Sequence, residues 1–155
     1  MERRGCAHGD DEEPDFAGDV HDCGDQQRVE ACDRIEAATY AIAAAATNGK
    51  IRLRGARADH LRAVLDKLQD SGAAIERCGA DITVSRKGRL KPVDITTLPY
   101  SGFPTDVQAQ MMALMALTPG ISIITERIFE SRFMHVSELS RLASRTGGWV
   151  RRTSG

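Results

Sequence analysis

The sequence is poor in aromatic residues: Phe, Trp and Tyr make up 5% of its 155 residues, with a single Trp among them. Its core must therefore rest on aliphatic side chains and Met, and stacking platforms for nucleic-acid bases are scarce. No apolar run is long enough to cross a bilayer; the longest, residues 37–46, is interrupted by Thr39. Cysteines are few and scattered, at Cys6, Cys23, Cys32 and Cys78. No pair has the spacing of a redox dithiol or a structural zinc site, so His21, Cys23 and Cys32 make a poor zinc set and reduced thiols are expected. No secretory leader is recognisable, which makes a cytoplasmic setting the expectation. Phosphate loops, dinucleotide fingerprints, metal motifs and Ser/His/Asp patterns are missing as well. No cofactor and no metal are expected.

What the chain does contain is unevenly distributed. The net charge is −1, but residues 1–32 carry ten acids against three arginines, leaving the remainder at +6. Residues 1–32 are rich in Asp, Glu and Gly without periodicity, and are expected to be mostly disordered. The mildly basic body suits an anionic ligand such as a nucleotide or phosphate. It lacks the dense basic stripe of a nucleic-acid binder, and neither nucleic acid nor membrane is expected as a partner.

Order is expected from Asp33. Asp33 and Glu36 have capping-box spacing, and an Ala-rich helix follows to Asn48, ended by Gly49. Residues 50–54 alternate as a half-buried strand. Asp59 is a candidate cap for a helix whose apolar positions are Leu61, Val64, Leu65 and Leu68, closed by Gly72. Residues 74–78 and 82–86 read as a hairpin around Gly79-Ala80-Asp81, and residues 93–97 as a further strand. The order then recurs: a helix over 105–117, a strand over 121–125, and a helix from about 133 to 144. Gly49 and Gly120 both separate a helix from a strand, and Leu65 and Leu68 recur as Leu139 and Leu142, a period slightly over ~70 residues. Helices that must cover sheet faces make the class α/β or α+β. The second copy is expected to stop short, because residues 143–155 are polar, Gly-rich and basic. Only Trp149-Val150 could seed a strand there, and open edges favouring self-association should result.

Two blocks carry the candidate chemistry. In the first, Phe103-Pro104-Thr105-Asp106, Thr105 and Gln108 form a second capping box, with Asp106 at the first helical position, where the dipole favours a negative charge. Asp106 could be a helix stabiliser and nothing more. The stiff 99–104 loop with two prolines, however, would fix its direction as a positioned base requires. The second block runs from Thr125 through Glu126, Ile128, Phe129 and Arg132 to His135. Arg132 is either a surface cation paired with Glu130 or Glu138, or a ligand for an anionic group. His135 reads as a helix-surface or packed residue, and Met111, Met112 and Met115 as core.

At these blocks the sequence resembles the enolpyruvyl transferases, and among them the UDP-N-acetylglucosamine 1-carboxyvinyltransferase family. The matching segments are DRIEAATYAIAAAATNGKI (33–51), AVLDKLQDSGAAIE (63–76), FPTDVQAQMMAL (103–114) and ITERIFESRFMHVSELSRL (124–142), within about 110 of the 155 residues. The resemblance implies an inside-out α/β prism, with helices inside a shell of sheets, of which about one and a half repeats are present. It implies transfer of the enolpyruvyl group of phosphoenolpyruvate to the 3-hydroxyl of UDP-N-acetylglucosamine, an early step of peptidoglycan synthesis. Asp106 would be candidate base and sugar ligand, with Thr105 beside it. Ile128 would lie at the UDP-sugar site, with Phe129 and Arg132 drawn from the same block. The family's N-terminal Lys-Asn pair, its mobile loop with the catalytic Cys or Asp, and its phosphoenolpyruvate-binding arginines have no counterpart here, and none of the four cysteines inherits the loop's role. Residues 1–32 and 143–155 fall outside the resemblance, as a frameshifted or truncated gene would produce. A fragment inactive by itself is the expectation. The other readings are a non-catalytic UDP-sugar-binding or interaction module, and a relative of the shikimate-pathway enolpyruvyl transferase, against which the FPTD and RFMHV blocks argue.

Overall fold

Asp33 starts the first helix as expected. Its Oδ1 accepts from the backbone N–H of Ile35 and of Glu36, at 2.7 and 3.0 Å, and these two bonds hold its carboxyl below the usual range. In the computed structural model the residues described are 27–30, 33–129, 132–146 and 148–154. Cys6, His21, Cys23 and Cys32 lie outside them, as does nearly all of the acidic segment.

The elements run β1 (Gln27–Glu30), α1 (Arg34–Ala46), β2 (Lys50–Arg54), α2 (Ala58–Asp70), β3 (Ala73–Cys78), β4 (Asp81–Arg86), β5 (Ile95–Thr96), α3 (Gln108–Ala116), β6 (Gly120–Glu126), α4 (Val136–Thr146) and β7 (Gly148–Ser154). They form two sheets, one in the order β1-β2-β4-β3 and the other β5-β6-β7. β1 and β2 are parallel and flank α1, just as β5 and β6 are parallel and flank α3. The repeat is thus a structural one. Gln110 Nε2 on α3 donates to Thr39 Oγ1 on α1 at 3.1 Å, across 71 residues, the same offset that relates Gly49 to Gly120.

α1 and α3 are the inner helices. Ala37, Ala38, Ala41, Ile42, Ala44 and Ala45 of α1 are buried, as are Met111, Met112, Leu114 and Met115 of α3. Helices apolar on nearly every side belong in an interior. They pack on each other, with α2 against α1 and α4 against α3. α2 is amphipathic and buries Leu61, Val64, Leu65 and Leu68. The strands lie outside: on β6, Ser122, Ile124 and Glu126 face in, whereas Ile121 and Ile123 are exposed. Helices inside and sheets outside are the α/β arrangement expected. Among the described residues no helix is long and apolar enough to cross a membrane.

Several local expectations are corrected. Arg57, not Asp59, occupies the cap of α2; Asp59 sits in the first turn and accepts from Arg57 at 3.0 Å. The strand expected over 93–97 is limited to Ile95–Thr96, and α4 starts at Val136 instead of near 133. Gln27–Glu30, inside the segment expected to lack order, forms β1 against β2. Residues 148–154, where only Trp149-Val150 had strand character, form all of β7, in register with β6 from Gly120↔Gly148 to Glu126↔Ser154. Both strands are added to an existing edge, so their order comes from a distant ladder and not from local propensity. The Thr125 and Thr153 hydroxyls meet across the β6–β7 pair at 2.7 Å. The repeats differ here: antiparallel β4 stands beside β2, but parallel β7 stands beside β6.

Candidate functional site

The centre of the site is a carboxylate to which the second block's sequence assigned no role. Glu126, at the end of β6, is fully buried. Its Oε1 accepts from Thr97 Oγ1 at 2.6 Å, Ile128 N at 2.9 Å and Phe129 N at 3.2 Å, and its Oε2 accepts from Thr105 Oγ1 at 2.9 Å. Thr97 Oγ1 in turn accepts from Arg127 N at 2.9 Å. One side chain therefore ties the end of β5, the loop after β6 and the segment before α3 to a single point. Burial alone would raise its pKa, but the hydrogen bonds from Thr97, Ile128, Phe129 and Thr105 outweigh it and hold the carboxyl below the usual range.

This network overturns the expected capping box. Thr105–Val107 is a turn of 3-10 helix preceded by Pro104, and neither it nor α3 has a side-chain cap. The Thr105 hydroxyl bonds the Glu126 carboxylate instead, because a charge-assisted bond outcompetes a neutral one to a helix N–H. Asp106 thus lies in the 3-10 turn ahead of α3, not at the first position of an α-helix. Gln108, the other half of the box, is buried at 1% exposure.

Asp106 meets the second block. Arg132 Nη1 donates to Asp106 Oδ1 at 2.8 Å, with both side chains nearly half exposed. Glu138 pairs instead with Arg141 at 3.3 Å, and Glu130, the other acid considered for Arg132, lies outside the described residues. The Arg132 guanidinium also lies over the Phe129 ring, 5.0 Å from its centre. Phe129 is 52% exposed and Ile128 half-buried, on the loop whose N–H groups Glu126 holds. Next to the ion pair opens a cleft of about 290 Å³ lined by Thr105, Asp106, Gln108, Ala109, Arg132, Met134 and His135. The structure thus brings Thr105, Asp106 and Arg132 to one cleft and sets Ile128 and Phe129 on the adjoining loop. The sequence reading missed Glu126, Gln108 and His135. For Glu126 the signal was its position at the end of an inward-facing alternation on β6. No titratable cluster that could hold a metal exists among the described residues.

His135 lies in the turn before α4, half-buried, and burial pushes its pKa down. The two shifts give stability an acid dependence of definite sign. Both folded values are depressed, so each contribution is complete above the unfolded pKa and is lost as pH falls. The loss through His135 begins below about 6.5, where the unfolded histidine takes up a proton, and that through Glu126 below about 4.3. Urea midpoints should be flat from pH 8 to about 6.5 and then decline in two stages. The first stage should be missing in His135→Phe, and midpoints that rise on acidification would contradict the assignment.

Comparison with known proteins places the chain in a family. Residues 11–147 match the family model described as EPSP synthase (3-phosphoshikimate 1-carboxyvinyltransferase). The match begins upstream of the segments that carry the sequence resemblance. Among similar curated proteins are the UDP-N-acetylglucosamine 1-carboxyvinyltransferases of Gluconacetobacter diazotrophicus, 53% identical over 113 residues, and of Beijerinckia indica subsp. indica, 56% identical over 113 residues. These alignments cover 73% and 72% of this chain. The chain spans about a quarter of the length of these relatives, 27% and 26% respectively. The crystal structure of the enolpyruvyl transferase NikO from Streptomyces tendae superposes with a TM-score of 0.61 at 26% identity, over 70% of this chain and 26% of that one. The sequence match and the inner-helix architecture together establish that the chain belongs to the EPSP synthase family of enolpyruvyl transferases.

Proposed function

We propose that this chain forms the acceptor-sugar wall of an enolpyruvyl transferase site, serving transfer from phosphoenolpyruvate to the 3-hydroxyl of UDP-N-acetylglucosamine in the cytoplasm. The observation that carries the reading is the convergence of Asp106 and Arg132, from separate blocks, at the mouth of one cleft. Asp106 is half exposed and held from one side by Arg132. Its second oxygen is the acceptor for a sugar hydroxyl. As the sugar hydroxyl oxygen bonds to the central carbon of phosphoenolpyruvate, the hydroxyl proton passes to the Asp106 carboxylate and the methylene carbon takes up a proton from an acid on the donor side of the site; loss of one methyl proton together with phosphate then restores the double bond. Arg132, steadied on Phe129, keeps the carboxylate oriented until the hydroxyl arrives. Glu126 is not the base: it is buried and already accepts four hydrogen bonds. It fixes Thr105 and the Ile128–Phe129 loop where the sugar would lie.

The family model's own name suggests a phosphorylated shikimate acceptor instead. The cleft argues against it, since among the described residues Arg132 is the one lining guanidinium and Asp106 neutralises it, leaving none of them free for a second phosphate. A ligand that binds the folded chain raises its melting temperature. UDP-N-acetylglucosamine at millimolar concentration is expected to raise it by about 2–4 °C, a stabilisation of roughly 1 kcal/mol, and shikimate 3-phosphate to leave it unchanged. The reverse order would transfer the assignment to the shikimate acceptor.

A further inference from the structure

Two residues that line this cleft each hold a buried nitrogen without a partner, Gln108 Nε2 and His135 Nε2. Gln108 is 1% exposed and stands two residues beyond Asp106. Buried polar groups are almost always hydrogen-bonded, and exceptions at a cleft are explained when a ligand supplies the missing partner. The charge of Arg132 is cancelled by Asp106, and burial favours a neutral His135. The floor of the cleft is therefore polar but uncharged, which suits a neutral group and not a phosphate or carboxylate.

We propose that Gln108 and His135 recognise the acetamido group of the acceptor sugar and so select 2-acetamido over 2-hydroxy nucleotide sugars. This inference rests on the acceptor-sugar reading above. If Asp106 faces the 3-hydroxyl, the substituent on a neighbouring carbon is the acetamido group, and Gln108, two residues further on, lines the same cleft. The amide carbonyl offers an acceptor for Gln108 Nε2. With the proton of neutral His135 on Nδ1, its Nε2 accepts from the amide N–H. One donor and one acceptor on the protein thus meet one acceptor and one donor on the ligand. A sugar with a hydroxyl at that carbon can still donate to His135 but offers no carbonyl to Gln108, whose amide stays stranded, which is how a hydrogen-bonding site rejects an analogue.

The test is a calorimetric titration of the full 155-residue chain with UDP-N-acetylglucosamine and with UDP-glucose. The wild type is expected to prefer the first by at least about tenfold. Gln108→Leu should bring that ratio close to one. Its unliganded melting temperature should stay level or rise, because an orphaned amide has been removed from the interior. Gln108→Met, unbranched and of similar length, should behave in the same way and serves if the leucine variant does not fold. A preference that survives both substitutions overturns the inference, as does a parallel loss of both ligands with a lower melting temperature. If the wild type binds the two sugars equally, the acceptor-sugar reading stands and only this inference falls. If it binds neither, both fall.

Discussion

Replacing Glu126 with alanine is expected to destabilise the fold by about 3–5 kcal/mol, a large share of the stability of any domain of this size. The side chain is fully buried and serves four donors: the Thr97 and Thr105 hydroxyls and the N–H groups of Ile128 and Phe129. Alanine strands these donors, each at a cost of roughly 1–3 kcal/mol where water cannot replace the partner. Glu126→Gln should cost far less, because an amide oxygen can still accept from the loop N–H groups while the Thr105 hydroxyl turns to accept from the new NH₂. Urea unfolding at pH 7 of the three proteins measures the difference. Equal stability of the alanine variant and the wild type would show that the carboxylate does not hold the site together.

Supplied with phosphoenolpyruvate and UDP-N-acetylglucosamine, the chain alone is expected to release phosphate no faster than buffer, a loss of the whole enzymatic acceleration of at least about 10⁶-fold. The physical reason lies in the cleft. Drawing a trianionic donor substrate against a sugar needs several convergent cations. Among the described residues the cleft offers Arg132, already paired with Asp106, and a histidine that burial keeps neutral. The geometry supports holding an acceptor sugar and positioning its hydroxyl, but not stabilising the departing phosphate. Phosphate release at a normal enzymatic rate, followed by a coupled colorimetric assay, would show that the chain holds both halves of the chemistry.

Much of the fold could be read from local pattern. The Asp33 cap, the apolar face of α2, the Gly79 turn and the alternation of β2 are each set by residues close in sequence. The repeat was visible for the same reason, since each copy carries its own helix stop at Gly49 or Gly120. What escaped was non-local. β1 and β7 owe their order to the edges of β2 and β6. Thr105 had the right spacing for a cap, yet a carboxylate 21 residues away claimed its hydroxyl. The fold also supplies Arg132 with Asp106, 26 residues distant, an ion-pair partner that spacing along the chain does not suggest. Asp106 was singled out through the stiff loop before it and the resemblance of its block, and the fold brings it to Arg132 at the cleft. Glu126 was not, because a glutamate at a strand end reads as solvated, and only its four donors make it an interior residue.

The central claim is that Asp106 faces the acceptor sugar. Calorimetric titration of the chain with UDP-N-acetylglucosamine, beside Asp106→Ala, tests it most directly. The account predicts saturable binding by the wild type and a loss of affinity of about tenfold or more in the variant, as befits removal of a charged hydrogen-bond acceptor. Unchanged affinity in Asp106→Ala, with the variant folded, would contradict it.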